Sequence, residues 1–260
     1  MAKRRPETIP FASADALWSH YGLQHPEQLV LEDLAMAMGV LVKDGRLDSC
    51  VARLTRTGET GVIRVKKGLT PLTKRRFAIS HELGHWRLHR QHSQVFACTS
   101  QDMVARYKES RIEAEANSFA SALLMPQSLF RERQVDERPT FEQVESLADD
   151  FGVSLTAAAV RWMEIADDYA AAIISQNGKI RWWRGSHQFE DALWIAAGSK
   201  LSPLTLASQL ATDDPRVHGP EEIDLAAWTN GSDDLTSDVV IEESRILGRY
   251  GQALSLIWLT

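Results

Sequence analysis

The residues best suited to chemistry lie in the segment Ala78-Ile79-Ser80-His81-Glu82-Leu83-Gly84-His85-Trp86. Positions four apart on an α-helix share nearly one face, so His81 and His85 can offer two imidazole nitrogens to a single ion. Glu82 follows His81 by about 100° around the helix. That rotation sets its carboxylate beside the ion rather than among the ligands, where it can take a proton from an attacking water as the catalytic base. Gly84, between the two histidines, costs a helix about 1 kcal/mol relative to alanine. Its expected reason is a second backbone passing close to the helix at that point.

A catalytic zinc keeps three protein ligands and one open position. The third is sought in Arg111-Ile112-Glu113-Ala114-Glu115-Ala116-Asn117. Here Glu113 and Asn117 share a helix face, while Glu115 is turned about 200° from Glu113, so the two glutamates cannot both face the ion. Glu113 is assigned as ligand, and Asn117 as the hydrogen-bond partner that orients a histidine. A second assignment stands beside it, in which Glu113 forms a capping box with Ser110 and Glu115 is the ligand. These ligand types point to Zn2+, with Mn2+ admissible. For the group that steadies an oxyanion, His89, His92, Tyr107 and Arg161 are all candidates, and none is singled out. Cys50 and Cys98 are read as buried, inert thiols.

The elements that must position these side chains follow from periodicity and punctuation. Apolar spacing from Ala12 to Met38 predicts two short helices, and β-branched runs at Val40–Val42, Ser49–Thr55 and Gly61–Val65 predict three strands. Gly61–Val65 is expected at a sheet edge, where an extended substrate would pair with it. Pro71 opens a helix expected to reach about His92, and a second helix from about Ser110 to Leu124 is stopped by Met125-Pro126. Small Ala114, Ala116 and Ala120 should let the two helices approach closely. Between Thr140 and Ile165, a Thr140/Gln143 capping box and the Gly152 to Ser154 break predict helix-turn-helix. Beyond Tyr169, strands flank the hairpin pair Asn177-Gly178, further strands are expected in DVVIEES and LSLIWL, and 211–234 reads as mostly loop. The expected class is α+β, with a peptidase core over 1–130, a helix-turn-helix-like segment over 131–168 and an α/β module over 169–260.

Composition bounds the partners. A chain of 260 residues with 44% hydrophobic residues and a net charge of -6 lacks the basic excess of a dedicated nucleic-acid binder. The second helix of the helix-turn-helix, expected from Leu155 to Asp168, sets Arg161 alone against Glu164, Asp167 and Asp168, which argues against direct DNA binding. The cluster Arg64, Lys66, Lys67, Lys74, Arg75 and Arg76 is the better candidate for an anionic partner, with a solvated face as the default. Two cysteines do not make a disulfide framework, the N-terminus has no apolar leader, and no run approaches the roughly 18 apolar residues of a membrane span. A cytoplasmic location and no membrane partner are therefore expected.

The blocks LEDLAMAMGV, RRFAISHELGHWRLH, EAEANSFASALLMP and LADDFGVSLTAAAVRW, followed by NGKIRWWR, stand in this order between Leu31 and Phe189. Together they resemble the ImmA/IrrE family of bacterial metallopeptidases over about three fifths of the chain. The resemblance implies a gluzincin-like site, with His81, His85 and Glu113 as zinc ligands and Glu82 as catalytic base. It also implies a protein substrate, a helix-turn-helix transcriptional repressor whose cleavage derepresses stress-response or mobile-element genes. Two rival readings are a DNA-binding transcriptional regulator and a catalytically inactive, antitoxin-like scaffold.

Overall fold

Alternation of inward and outward residues in its second and third strands builds the first sheet. In β1 (Val40–Gly45), β2 (Ala52–Thr57) and β3 (Thr60–Lys66), buried Val40, Ala52, Leu54, Ile63 and Val65 face the interior while their neighbours face water. The computed structural model describes residues 8–90, 95–98, 111–210, 216–229, 238–248 and 251–259, with side chains from 9 onward except at 95–98. Its mixed helices and strands divide into two units, Met1–Arg133 with Asp149–Ser154, and Gln134–Ala148 with Leu155–Thr260.

In the first unit a fourth strand, β4 (Val95–Cys98), completes a sheet of order β1-β3-β2-β4. β3 pairs in parallel with β1 and antiparallel with β2, so it is an interior strand. This corrects the expectation that Gly61–Val65 forms an edge: both sides of its backbone are already hydrogen-bonded, and among the described residues the edges are β1 and β4. The turn at Gly58-Glu59 lies where the hairpin was expected, with Gly58 at φ +58°.

Helix α3 (Leu72–Leu88) packs on β2, β3 and β4 and ends one turn earlier than the sequence suggests. Nine successive residues of α3, Ala78 to Trp86, are buried, so this helix is enclosed on all sides over its second half. Trp86 anchors it: the indole donates to Met38 O at 3.1 Å, lies against Gly61, and is covered by the Arg56 guanidinium 3.7 Å from its centroid. Helix α4 (Arg111–Leu124) closes one flank of α3, and α1 (Thr8–His20) in turn packs on α4, where Trp18 Nε1 donates to Leu123 O at 2.9 Å. Helices α2 (Leu31–Ala37) and α5 (Gln127–Arg133) complete the unit.

Consecutive helices α6 (Phe141–Phe151) and α7 (Leu155–Ile165) are separated by Gly152 at φ +59°, as the helix-turn-helix pattern predicts. Only half of the expected capping box forms. Thr140 Oγ1 accepts from Gln143 N at 3.4 Å, while the Gln143 amide turns away to Val135 N, Asp136 N and Arg138 O.

In the second unit the sheet has order β6-β5-β9-β8-β7, built from β5 (Ala170–Gln176), β6 (Lys179–Gly185), β7 (Val217–Asp224), β8 (Val239–Leu247) and β9 (Gln252–Trp258). Every pairing is antiparallel, so the helices of this module do not alternate with strands as crossovers. Helix α7 packs on β5 and β6, α8 (His187–Ala192) on β5 and β6, and α9 (Leu206–Gln209) on β8 and β9. Asn177 and Gly178, both at positive φ, make the expected hairpin turn. β7 replaces an expected loop: it is an exposed edge strand whose register shifts between His218 and Glu221, around Gly219-Pro220. Trp183 lies in the core of this unit.

Candidate metal centre

The positions of the functional side chains follow from α3 and α4. On α3 the four-residue period stacks His81, His85 and His89 in a line, each buried to 1% exposure or less. On α4 the same period sets Glu113 and Asn117 on the face toward α3. The two helices meet at Gly84, where a Cβ would lie 3.1 Å from both Ala116 Cα and Ala116 O. The close backbone approach expected from Gly84 is therefore present, and it is supplied by α4.

Three atoms converge. His81 Nε2 and His85 Nε2 are 3.0 Å apart, and Glu113 Oε2 lies 3.1 Å from the first and 3.5 Å from the second. His81, His85 and Glu113 thus satisfy the spacing of a three-ligand metal site. Ligands held tetrahedrally at 2.0–2.1 Å from zinc stand about 3.3 Å from one another, and the three separations bracket that value. Glu113 Oε2 is buried without a well-aligned hydrogen bond despite the nearby imidazoles. A buried carboxylate oxygen and two ring nitrogens pointing at one spot are a donor set that suits a cation.

The electrostatics agree. Burial pushes the Glu113 carboxyl up, but the His81 and His85 imidazoles outweigh it and hold the group well below the ordinary carboxylate range. Burial pushes His81 down, yet Glu113, with Glu82 and Asn117, turns the net direction upward. His85 is pushed down to about 4, by burial first and by His81 and His89 against Glu113. Glu82 is fully buried on the turn that carries His81.

Around these atoms, His81 Nδ1 lies 2.8 Å from Asn117 Oδ1, the partner expected from the sequence. Glu115, the rival ligand, points elsewhere: its Oε2 lies 2.9 Å from His89 Nε2. Among the oxyanion candidates, His92 and Tyr107 fall outside the described residues, and Arg161 is buried on α7 with Glu164 at 3.1 Å. Cys50 is a buried free thiol, and the Cys98 side chain lies outside the described ones. Of the basic cluster, Arg75 pairs with Glu32 and Asp44, and Arg76 donates to Phe151 O. No helix among the described residues is long and apolar enough to cross a membrane.

Comparison with known proteins adds the following. Residues 35–163 match the peptidase M78 model, the IrrE N-terminal-like domain. No curated protein sequence matches the chain. Among solved structures, a Mycobacterium tuberculosis transcriptional regulator superposes with a TM-score of 0.60 at 16% identity, covering 96% of this chain and 87% of that one. That likeness is one of fold.

Proposed function

Since its IrrE N-terminal-like domain makes this chain a member of the ImmA/IrrE peptidase family, we propose that it is a zinc-dependent endopeptidase that cleaves a helix-turn-helix transcriptional repressor. The observation that carries the peptidase reading is the convergence of His81 Nε2, His85 Nε2 and Glu113 Oε2 within 3.5 Å of one another, with Glu82 on the same turn of α3. The arrangement is gluzincin-like: two histidines four apart on one helix and a glutamate from the next. Zinc bound there would supply Lewis acidity, polarising a peptide carbonyl and bringing the pKa of a water toward about 7.

The protein's own residues do the rest. His81 and His85 present neutral nitrogens, and Asn117 holds the His81 ring by its Nδ1–H. Glu82 takes the proton of the attacking water and returns it to the leaving amine, two roles that need one carboxylate buried beside the scissile bond. The repressor as substrate rests on the family resemblance of the motif blocks, as does the expected derepression of stress-response or mobile-element genes.

A regulator that binds DNA directly is the second reading, suggested by the described role of the M. tuberculosis neighbour and by the α6-turn-α7 pattern. Against it, the one basic residue of α7, Arg161, is 2% exposed and lies beside Glu164. Phosphate contact requires several exposed Lys or Arg.

Metal content and repressor cleavage, measured together, test the proposal. Wild-type protein should carry one zinc and cut a helix-turn-helix repressor encoded beside it. His81→Ala and Glu113→Gln should lose both properties, and Glu82→Gln should keep the zinc and lose about 100-fold or more in turnover. Wild-type protein that stays metal-free after zinc loading would overturn the peptidase reading.

A further inference from the structure

Two side chains, His89 just past the end of α3 and Glu115 on α4, are not used by the mechanism above, and they meet each other. His89 Nδ1 lies 3.0 Å from His85 Nδ1, His89 Nε2 lies 2.9 Å from Glu115 Oε2, and Arg111 Nε donates to Glu115 Oε1 at 2.8 Å. His89 is buried, Glu115 is partly buried, and Arg111 closes the line of contacts at the surface. We infer that His89 and Glu115 form a relay that fixes the tautomer and ring orientation of His85, making His89 a positioning residue for the metal ligand. The inference rests on His85 being a ligand.

The proton positions follow from the partners. An ionised carboxylate offers only acceptors, so the nitrogen facing Glu115 must carry the hydrogen: His89 Nε2–H donates to Oε2. A neutral His89 then bears its lone pair on Nδ1, and that atom accepts from His85 Nδ1–H. With its hydrogen on Nδ1, His85 turns the lone pair of Nε2 toward His81 Nε2 and Glu113 Oε2, where a ligand atom must be. Reversing any one of these hydrogens would aim two lone pairs or two N–H groups at each other within 3.0 Å.

The two ligand histidines are therefore supported unequally. His81 leans on a neutral amide, Asn117, while His85 leans through a second imidazole on a carboxylate. A carboxylate behind a histidine raises its basicity as a ligand as well as orienting it. The four-residue spacing that makes His81 and His85 joint ligands also places His89 one turn beyond reach of the ion and directly behind His85. Arg111, at the first turn of α4, holds the carboxylate end of the chain in place.

The test is the zinc dissociation constant of the full chain, measured by competition with a chromophoric chelator, beside the thermal midpoint of the metal-free protein. His89→Leu should weaken zinc binding about 10- to 100-fold. His89→Asn, whose Oδ1 can take the place of the Nδ1 acceptor, should recover most of that loss, and Glu115→Ala should fall between wild type and His89→Leu. A merely structural His89 would lower the metal-free midpoint in both His89 variants without an Asn rescue of affinity.

Zinc binding within about twofold of wild type in both His89→Leu and Glu115→Ala would overturn the relay, given an expected loss of about 10-fold or more. If leucine is not tolerated at 89, Glu115→Ala with unchanged affinity does so alone. These outcomes differ from failure of the underlying reading, in which wild type binds no zinc or His81→Ala keeps it. In that case the relay falls with the ligand assignment.

Discussion

Gly84→Ala is the sharpest perturbation of the centre, because it touches no ligand and adds only a methyl group. An ideal Cβ at this position would lie 3.1 Å from Ala116 Cα, 3.1 Å from Ala116 O and 3.2 Å from Phe119 Cδ1. Carbon–carbon contacts are comfortable at about 3.5–4.0 Å, so the methyl intrudes by about 0.4 Å, and two of the three obstacles are backbone. Overpacking of this kind costs about 1–3 kcal/mol, whereas replacing a helical glycine by alanine gains about 1 kcal/mol. The metal-free protein should therefore lose up to about 2 kcal/mol.

The effect on the metal should be the larger signal. Relief of the clash moves α4 away from α3, and Glu113 travels with α4. Metal–ligand distances in well-formed sites fall within about 0.2 Å of their ideal values, half the movement required. Zinc affinity should fall about 10-fold or more, as when ligand orientation is disturbed. Urea unfolding of the metal-free protein and a zinc competition titration measure the two quantities separately. A Gly84→Ala protein more stable by about 1 kcal/mol, the helix-propensity gain alone, with unchanged zinc affinity, would refute the claim that the Ala116 contact sets the ligand geometry.

Two further outcomes follow from named contacts. Asn117→Leu removes the acceptor 2.8 Å from His81 Nδ1 and should weaken zinc binding about 10- to 100-fold. Asn117→Asp keeps an acceptor and should stay close to wild type, so equal losses in the two variants would show that Asn117 acts by shape rather than by its hydrogen bond. In the second unit, buried Glu242 accepts from Ala207 N, Ser244 Oγ and Trp228 Nε1 through both oxygens. Glu242→Gln leaves at least one donor without an acceptor and should cost about 1–3 kcal/mol in urea unfolding. Burial, the leading cause, raises the Glu242 carboxyl above its unfolded value of 4.5. Its contribution is then greatest below that value and declines as pH rises through the folded one, so the advantage of wild type over Glu242→Gln should shrink as pH rises above 4.5. A constant or growing gap would contradict that sign.

The candidate centre was legible because its information is local. His81, Glu82 and His85 sit on one helix whose period alone decides their faces, and Glu113 is separated from Glu115 by rotation on another. Gly84 carried a tertiary message as well, since a glycine there made sense only beside a neighbouring backbone. The pairing of His89 with Glu115 was not legible: it depends on how α4 is rotated against α3, which no single-helix pattern encodes. β7 escaped notice because VHGPEEID has neither apolar alternation nor a clean turn, being an exposed edge strand with proline at a register shift. The edge assignment of Gly61–Val65 failed for a related reason. Its alternation is the same whether one side or both sides of the backbone are paired, and the crossover that lays β1 beside β3 leaves no mark in the residues of β3.

The burial pattern of α3 bears on why these residues belong together. A helix enclosed over nine successive positions would ordinarily be apolar throughout, yet this stretch contains Ser80, His81, Glu82 and His85, and His89 follows at 1% exposure. Buried polar groups are tolerated only when their hydrogen-bonding demands are met. Asn117 meets the demand at His81 Nδ1, and His89 meets it at His85 Nδ1. Beside these contacts, two ring nitrogens and a carboxylate oxygen are directed at one another, with the basicity of His81 raised and that of His85 lowered to about 4. A dication between them would satisfy all three atoms at once, and its binding would stabilise the fold of the first unit. The residues that make α3 a poor core helix are thus the ones that could hold a metal ion, and the contacts from Asn117 and His89 help to keep them buried.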